Sequence, residues 1–160
     1  MFKVSELLAD PRLLRWRLNL YPPYLGAGIR VHHLARDFRD IRVSMNLRWY
    51  NRNYVGTHFG GSLYAMTDPF FMLMLIQNLG REYIVWDKAS AIEFVNPGRG
   101  RVHAHFELTQ DRIDRICKQA AVKSKILPQF VVAVRDDQDE VVAQVTKTLY
   151  VRRKRAHSDE

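Results

Sequence analysis

One carboxylate interrupts the most apolar stretch of this chain. Between Gly61 and Leu79 the only charged residue is Asp68. A carboxylate held in a site can act as general base or nucleophile. In an apolar segment it is costly unless it is paired or solvated by a site. The ordinary alternative is an aspartate bonded to nearby backbone. The same stretch opens on Gly60-Gly61-Ser62. A helix starting there presents unpaired N–H groups and the positive end of its dipole. Glycine, having no side chain, lets a ligand come close to those groups.

Histidine supplies weaker signals. His103 and His105 are two apart on a strand pattern, so they share one face. No third ligand stands at a recognisable spacing, so the expectation is exposed histidines and no metal. His32 and His33 are adjacent and are expected on opposite faces of a strand. Cys117 is the single cysteine, which excludes an intrachain disulfide and points to a reducing, cytoplasmic setting. The net charge of +8 favours anionic partners: nucleic acid, a membrane surface or a phosphate-bearing cofactor. Arg99 and Arg101, in Pro-Gly-Arg-Gly-Arg, are candidate phosphate contacts, with solvated loop arginines as the alternative.

The surrounding elements must position Asp68. The segment from Gly61 to Leu79 shows almost no polar face, so as a helix it is buried nearly all round. Gly80 stands where a helix would end. Pro69 removes a helical N–H, clashes with the carbonyl of Ala65 and restricts Asp68, so a bend is expected at Asp68. Residues 3–20 read as a helix with a basic face and with Pro11 at a start or break, and Tyr21-Pro22-Pro23 as a connector. Alternation predicts strands over 29–36, 38–49, 83–96, 101–110, 130–135 and 141–151. Residues 111–125 read as a short basic helix, and the tail 152–160 as frayed. No leader peptide and no apolar run long enough to span a bilayer is expected. The sum is one α+β domain over 1–160, a six-stranded antiparallel sheet curled around one long buried helix.

With that order, Asn53-x-x-Gly56-Thr57-x-x-Gly60-Gly61 followed by Asp68 resembles the hotdog-fold acyl-CoA thioesterases of the phenylacetyl-CoA and human acyl-CoA type. Phe-Gly-Gly-Ser-Leu-Tyr-Ala-Met-Thr-Asp-Pro-Phe resembles an uncharacterised, domain-of-unknown-function branch of that superfamily. The tight match covers residues 53–69 and the match in element order about 28–151. The family places a histidine directly before the two glycines; here that residue is Phe59, with His58 one place earlier. Asp87 falls where some relatives place a helper serine or threonine.

The resemblance implies hydrolysis of an apolar acyl-CoA, with coenzyme A as part of the substrate and no separate cofactor. Asp68 would be base or nucleophile, Gly60 an oxyanion donor, and Asn53 would orient water or hold the carbonyl. Gly61, His58, Asp87, Arg99 and Arg101 would contact the substrate. Gly60 and Asp68 are eight residues apart, about 12 Å along a helix at ~1.5 Å per residue. Catalytic groups must come within ~3 Å of the reacting atoms. Two subunits related by a dyad are therefore required, as a dimer or a dimer of dimers. Lys88 shares a strand face with Ile92 and Phe94; if it reached Asp68 it would favour a non-catalytic protein that binds acyl-CoA or another apolar ligand. A hotdog dehydratase is disfavoured because Met72 occupies its acid position. Nucleic-acid binding is disfavoured for want of a recognition motif.

Overall fold

The computed structural model describes residues 10–154. Helix α1 (Pro11–Leu20) starts where the proline expectation put it: Pro11 occupies the first turn, and the Asp10 carboxylate accepts a hydrogen bond from the Arg12 N–H at 2.8 Å. The expected residues 3–9 of that helix lie outside the described range. Tyr21-Pro22-Pro23 is not a bare connector. Pro22 begins a second short helix, α2 (Pro22–Ala27), because proline's fixed φ suits a first helical position. Gly28, at φ 75°, ends it and turns the chain into the sheet.

Six strands follow: β1 (Ile29–Leu34), β2 (Asp40–Asn46), β3 (Tyr83–Phe94), β4 (Arg101–Glu107), β5 (Gln129–Asp136) and β6 (Val141–Arg153). They form one sheet in the order β1-β2-β4-β5-β6-β3, antiparallel throughout. Arg152 and Arg153 continue β6 rather than fraying, with Arg153 opposite Tyr83. Residues 155–160 of the expected tail lie outside the described range.

The central segment is two helices, α3 (Gly60–Ala65) and α4 (Phe70–Leu79), joined through a cis Asp68–Pro69 peptide. The proline bend expected at Asp68 is thus a complete break. Helix α4 buries Phe70, Phe71, Leu73, Met74, Leu75 and Leu79. Phe70 meets Phe106 with centroids 4.9 Å apart, and Phe71 stacks on Phe130 at 4.7 Å, aromatic separations that add to the area buried. Helix α5 (Gln110–Val122), capped by Thr109, closes the core with Ile113, Ile116 and Ala120. The sheet bends round α4: an α+β hotdog fold.

Candidate functional site

The inward face of β6 alternates Val145, Lys147, Leu149 and Val151, all buried. Lysine at one of these positions puts a wholly buried ammonium against the central helices. It sits beside the break between α3 and α4, where the chain cannot continue helical hydrogen bonding. Lys147 Nζ donates to Asp68 Oδ1 at 2.6 Å and to the Tyr64 hydroxyl at 3.3 Å. It also lies 3.2 Å from Asp87 Oδ1. The side chain of Lys147 is 0% exposed, while those of Asp68 and Asp87 are 42% and 27% exposed. The cluster is therefore a buried cation with two carboxylates on its open side.

Burial works to lower the Lys147 pKa. The hydrogen bond and charge of Asp68, together with Asp87, outweigh it and hold the ammonium above its usual range. Burial pushes the Asp87 carboxyl up; Lys147 opposes this and the neighbouring Asp68 adds to it. Two carboxylates and one ammonium in a partly dry space carry one excess negative charge, and a proton on Asp87 relieves it. Tyr24 of α2 donates its hydroxyl to the Asp68 backbone carbonyl. Burial, then the charge of Asp68, raise that phenol far out of its usual range, so Tyr24 is a neutral donor.

Lys88 is not the partner of Asp68. A bulge between Asp87 and Ala89 breaks the alternation of β3, and Lys88 is exposed. Lys147 takes the position instead. Sequence reasoning passed over Lys147, though a lysine among Val145, Leu149 and Val151 at period two was a readable sign. Tyr24 gave no such sign, because only the fold brings α2 to residue 68.

The glycine-rich end of α3 lies toward the far end of β3. A Cβ on Gly60 would come within 2.8 Å of the Phe94 ring, and one on Gly61 within 2.4 Å of the Phe59 ring. Both rings are more than half exposed, so a side chain at either position would have to displace a surface ring. A cleft of about 390 Å³ opens here, lined by Asn53, Thr57, His58, Gly60, Phe94 and Gly98 among others.

Asn53 commits its whole amide to the loop before α3. Its Nδ2 donates to Thr57 Oγ1 at 2.9 Å and to the His58 carbonyl at 3.2 Å; its Oδ1 accepts from the Val55 and Thr57 N–H groups at 3.1 and 3.0 Å. That fills the usual capacity of the group. His58 is buried, with its Nε2 on the Gly100 carbonyl at 3.0 Å and its Nδ1 unpartnered. Burial lowers its pKa against the opposing pull of that carbonyl, which favours the neutral ring. Phe59, in the place of the family histidine, is 56% exposed. Arg99 is exposed in the turn after Gly98. Arg101 lines a different depression with His32, Arg42, His103 and His105, on the solvent side of the sheet.

That side corrects one expectation. A bulge between Val31 and His33 turns His32 and His33 to the same, outward face. His32 meets Ser44 at 2.5 Å, and His33 approaches Asp40 at 3.7 Å. Asp40 also takes His105 at 3.2 Å and Arg42 at 3.2 Å. Asp40, His105 and Glu107 place three ligand atoms within 4.8 Å of one another. Sequence spacing hid Asp40, which arrives from the neighbouring strand β2, whereas Glu107 stands two residues after His105 on β4 itself. The Arg42 guanidinium already neutralises the central carboxylate.

Comparison with known proteins sets this geometry in a family. The family model described as a domain of unknown function, DUF4442, matches residues 11–151. Among curated proteins none matches. A Pseudomonas aeruginosa protein of unknown function, described as a probable thioesterase, superposes with a TM-score of 0.74 at 19% identity, covering 96% of this chain and 98% of its own. A Haemophilus influenzae thioesterase gives 0.65 at 15% identity, with 94% and 95% covered. A mutant of the phenylacetic acid degradation protein PaaI from Thermus thermophilus gives 0.57 at 24% identity, with 81% and 97% covered. At these identities the likeness establishes the fold. The chain belongs to the DUF4442 family and carries it on a hotdog fold.

Proposed function

We propose that this protein hydrolyses the thioester of an apolar acyl-CoA at the interface of two subunits. The observation that carries the reading is the placement of Asp68. Its carboxylate is part-exposed at the break between α3 and α4, beside Asp87 of β3, and β3 is an edge strand. Gly60 packs at Phe94, seven residues farther along β3, which is about 23 Å at ~3.3 Å per residue. One subunit cannot bring both ends to one carbonyl. An antiparallel pairing of two β3 edges about a dyad between Ser90 and Ala91 sets Phe94 of one subunit opposite Asp87 of the other. Gly60 then faces the second subunit's Asp68. The exposed run Ala89-Ser90-Ala91 offers small side chains and free backbone groups for that pairing.

In this arrangement Asp68 is the base that takes a proton from water, or the nucleophile itself. The Gly60 N–H from the other subunit donates to the developing oxyanion. Six residues of helix add little dipole, so the donor itself carries that role. His58 shapes the cleft wall, Gly61 follows Gly60 in the same first turn as a further substrate contact, and Asn53 holds the loop that presents Gly60. Arg99, beside the cleft residue Gly98, meets coenzyme A phosphates, whereas Arg101 faces the other side of the sheet. The protein acts in the cytoplasm, and no described helix is long and apolar enough to cross a membrane.

Purified protein assayed on a panel of acyl-CoAs with a thiol reagent tests the reading. Wild type is expected to turn over, and Asp68→Asn to lose about 10²-fold or more in kcat/KM. An unimpaired Asp68→Asn, or a stable monomer in dilute sedimentation runs, sinks it. The hydrogen bond from Lys147 to Asp68 favours a second reading, a protein that binds acyl-CoA without cleaving it, since one oxygen of that carboxylate is already engaged. Saturable acyl-CoA binding with no thiol released would select that one.

A further inference from the structure

Resting on the hydrolase reading, we propose that Asp87 is the proton donor to the departing thiolate and that Lys147 is the positioning residue that gives the two carboxyl groups their separate parts. The argument is the asymmetry of the cluster. Lys147 Nζ makes a short, aligned hydrogen bond to Asp68 Oδ1 at 2.6 Å and a second to the Tyr64 hydroxyl. It stands farther from Asp87 Oδ1, at 3.2 Å, an ion-pair approach that is poorly aligned for a hydrogen bond. One ammonium thus holds one carboxylate closely and the other at longer range. The more deeply buried carboxyl, held less closely by the cation, is the better place for the single proton the pair needs. Pairs of acids pushed apart by their surroundings divide the acid and base parts of a reaction.

The groups facing Asp87 are few. Lys147 comes from β6, Asp68 from the helix break, and Tyr64 from α3 through Lys147. Tyr24 reaches only the Asp68 backbone, as a neutral donor. Lys88, its neighbour in sequence, is exposed at the bulge.

The step balances. Asp68 takes a proton from water as the water oxygen bonds to the carbonyl carbon. The carbon–sulfur bond then breaks, its electron pair leaves on sulfur, and the Asp87 carboxyl protonates that sulfur. Acid and thiol are released with Asp68 protonated and Asp87 ionised. Transfer of that proton from Asp68 to Asp87 restores the starting state, and no other reactant is consumed.

The test compares two thioesters of one acyl group, the coenzyme A ester and the p-nitrothiophenyl ester, whose thiolate leaves without needing a proton. Asp87→Asn is expected to lower kcat on the coenzyme A ester by about 10²-fold or more, and on the nitrothiophenyl ester by less than about tenfold. Equal losses on both esters overturn the proposal. The wild-type pH profile needs no variant. Activity on the coenzyme A ester should fall on the alkaline side as Asp87 ionises, and that limb should be absent with the nitrothiophenyl ester. A limb identical for both esters also overturns it. In Lys147→Met, loss of the opposing cation should move the limb to higher pH, whereas a purely structural lysine would leave it in place. If wild type cleaves neither ester, the hydrolase reading itself has failed and this one falls with it; cleavage of both with equal sensitivity to Asp87→Asn removes only the proton donor.

Discussion

The sheet carries a charge cluster on each of its faces, and the two differ in solvent more than in chemistry. Inside, Lys147 lies between Asp68 and Asp87 at 2.6 and 3.2 Å. Outside, Asp40 lies among Arg42 at 3.2 Å, His105 at 3.2 Å and His33 at 3.7 Å. The distances are similar. The inner cation is 0% exposed, whereas the Arg42 side chain is 61% exposed. Water and salt screen the outer set and leave little net stabilisation. The inner set has lost solvation on one side only, so its interactions are strong and its protonation is set by neighbours. Like groups make a solvated strand face in one place and a site in the other.

Lys147→Met is the most severe way to break the contrast. It leaves two carboxylates against each other without their cation. The expected cost in chemical denaturation at neutral pH is about 2–3 kcal/mol, below the ~3–5 typical of enclosed pairs because Asp68 keeps water access. The loss should shrink in acid, where the carboxylates protonate. A change under about 0.5 kcal/mol would mean that the inner cluster is as screened as the outer one.

Opposite pH signs sharpen the comparison. The folded-state pKa of Asp87 is raised, so its stabilising contribution is present at low pH and is lost as pH rises through that value. For Asp40, burial acts upward, but hydrogen bonds and charge from Arg42 and His105 prevail and lower it. Its contribution is present above the usual carboxylate range and is lost as pH falls through the folded value. Asp87→Asn should therefore flatten the fall of stability on the alkaline side of the usual carboxylate range, and Asp40→Asn should flatten it on the acid side. Denaturation midpoints measured against pH check both, and matching signs would contradict the assignment. Arg42→Ala is the smallest expected effect, about 0.5 kcal/mol or less and smaller still at high salt. A larger loss would give the outer cluster a structural weight that its exposure denies.

How far the chain could be read without coordinates follows the same division. Strands whose pattern alternates toward the core, such as Val102, Ala104 and Phe106 of β4, stand where their period puts them, with His103 and His105 turned outward. A bend at Pro69 was legible from local sterics, though not that it would divide the segment into two helices. The bulges at His32 and Lys88 were not, because an inserted residue shifts every later side chain to the other face and no local preference marks it. Asn53 was legible as a special residue, while its work within the loop depended on which backbone groups came within reach.

By itself the sequence determined the order of the six strands along the chain, the buried central segment and the presence of an acid at its bend, since periodicity and proline sterics act between near neighbours. Tertiary structure alone decided which cation meets that acid. Lys88 and Lys147 were both available on strands, and the choice fell to the register of β6 against the helix break, a contact across 79 residues that no local rule encodes.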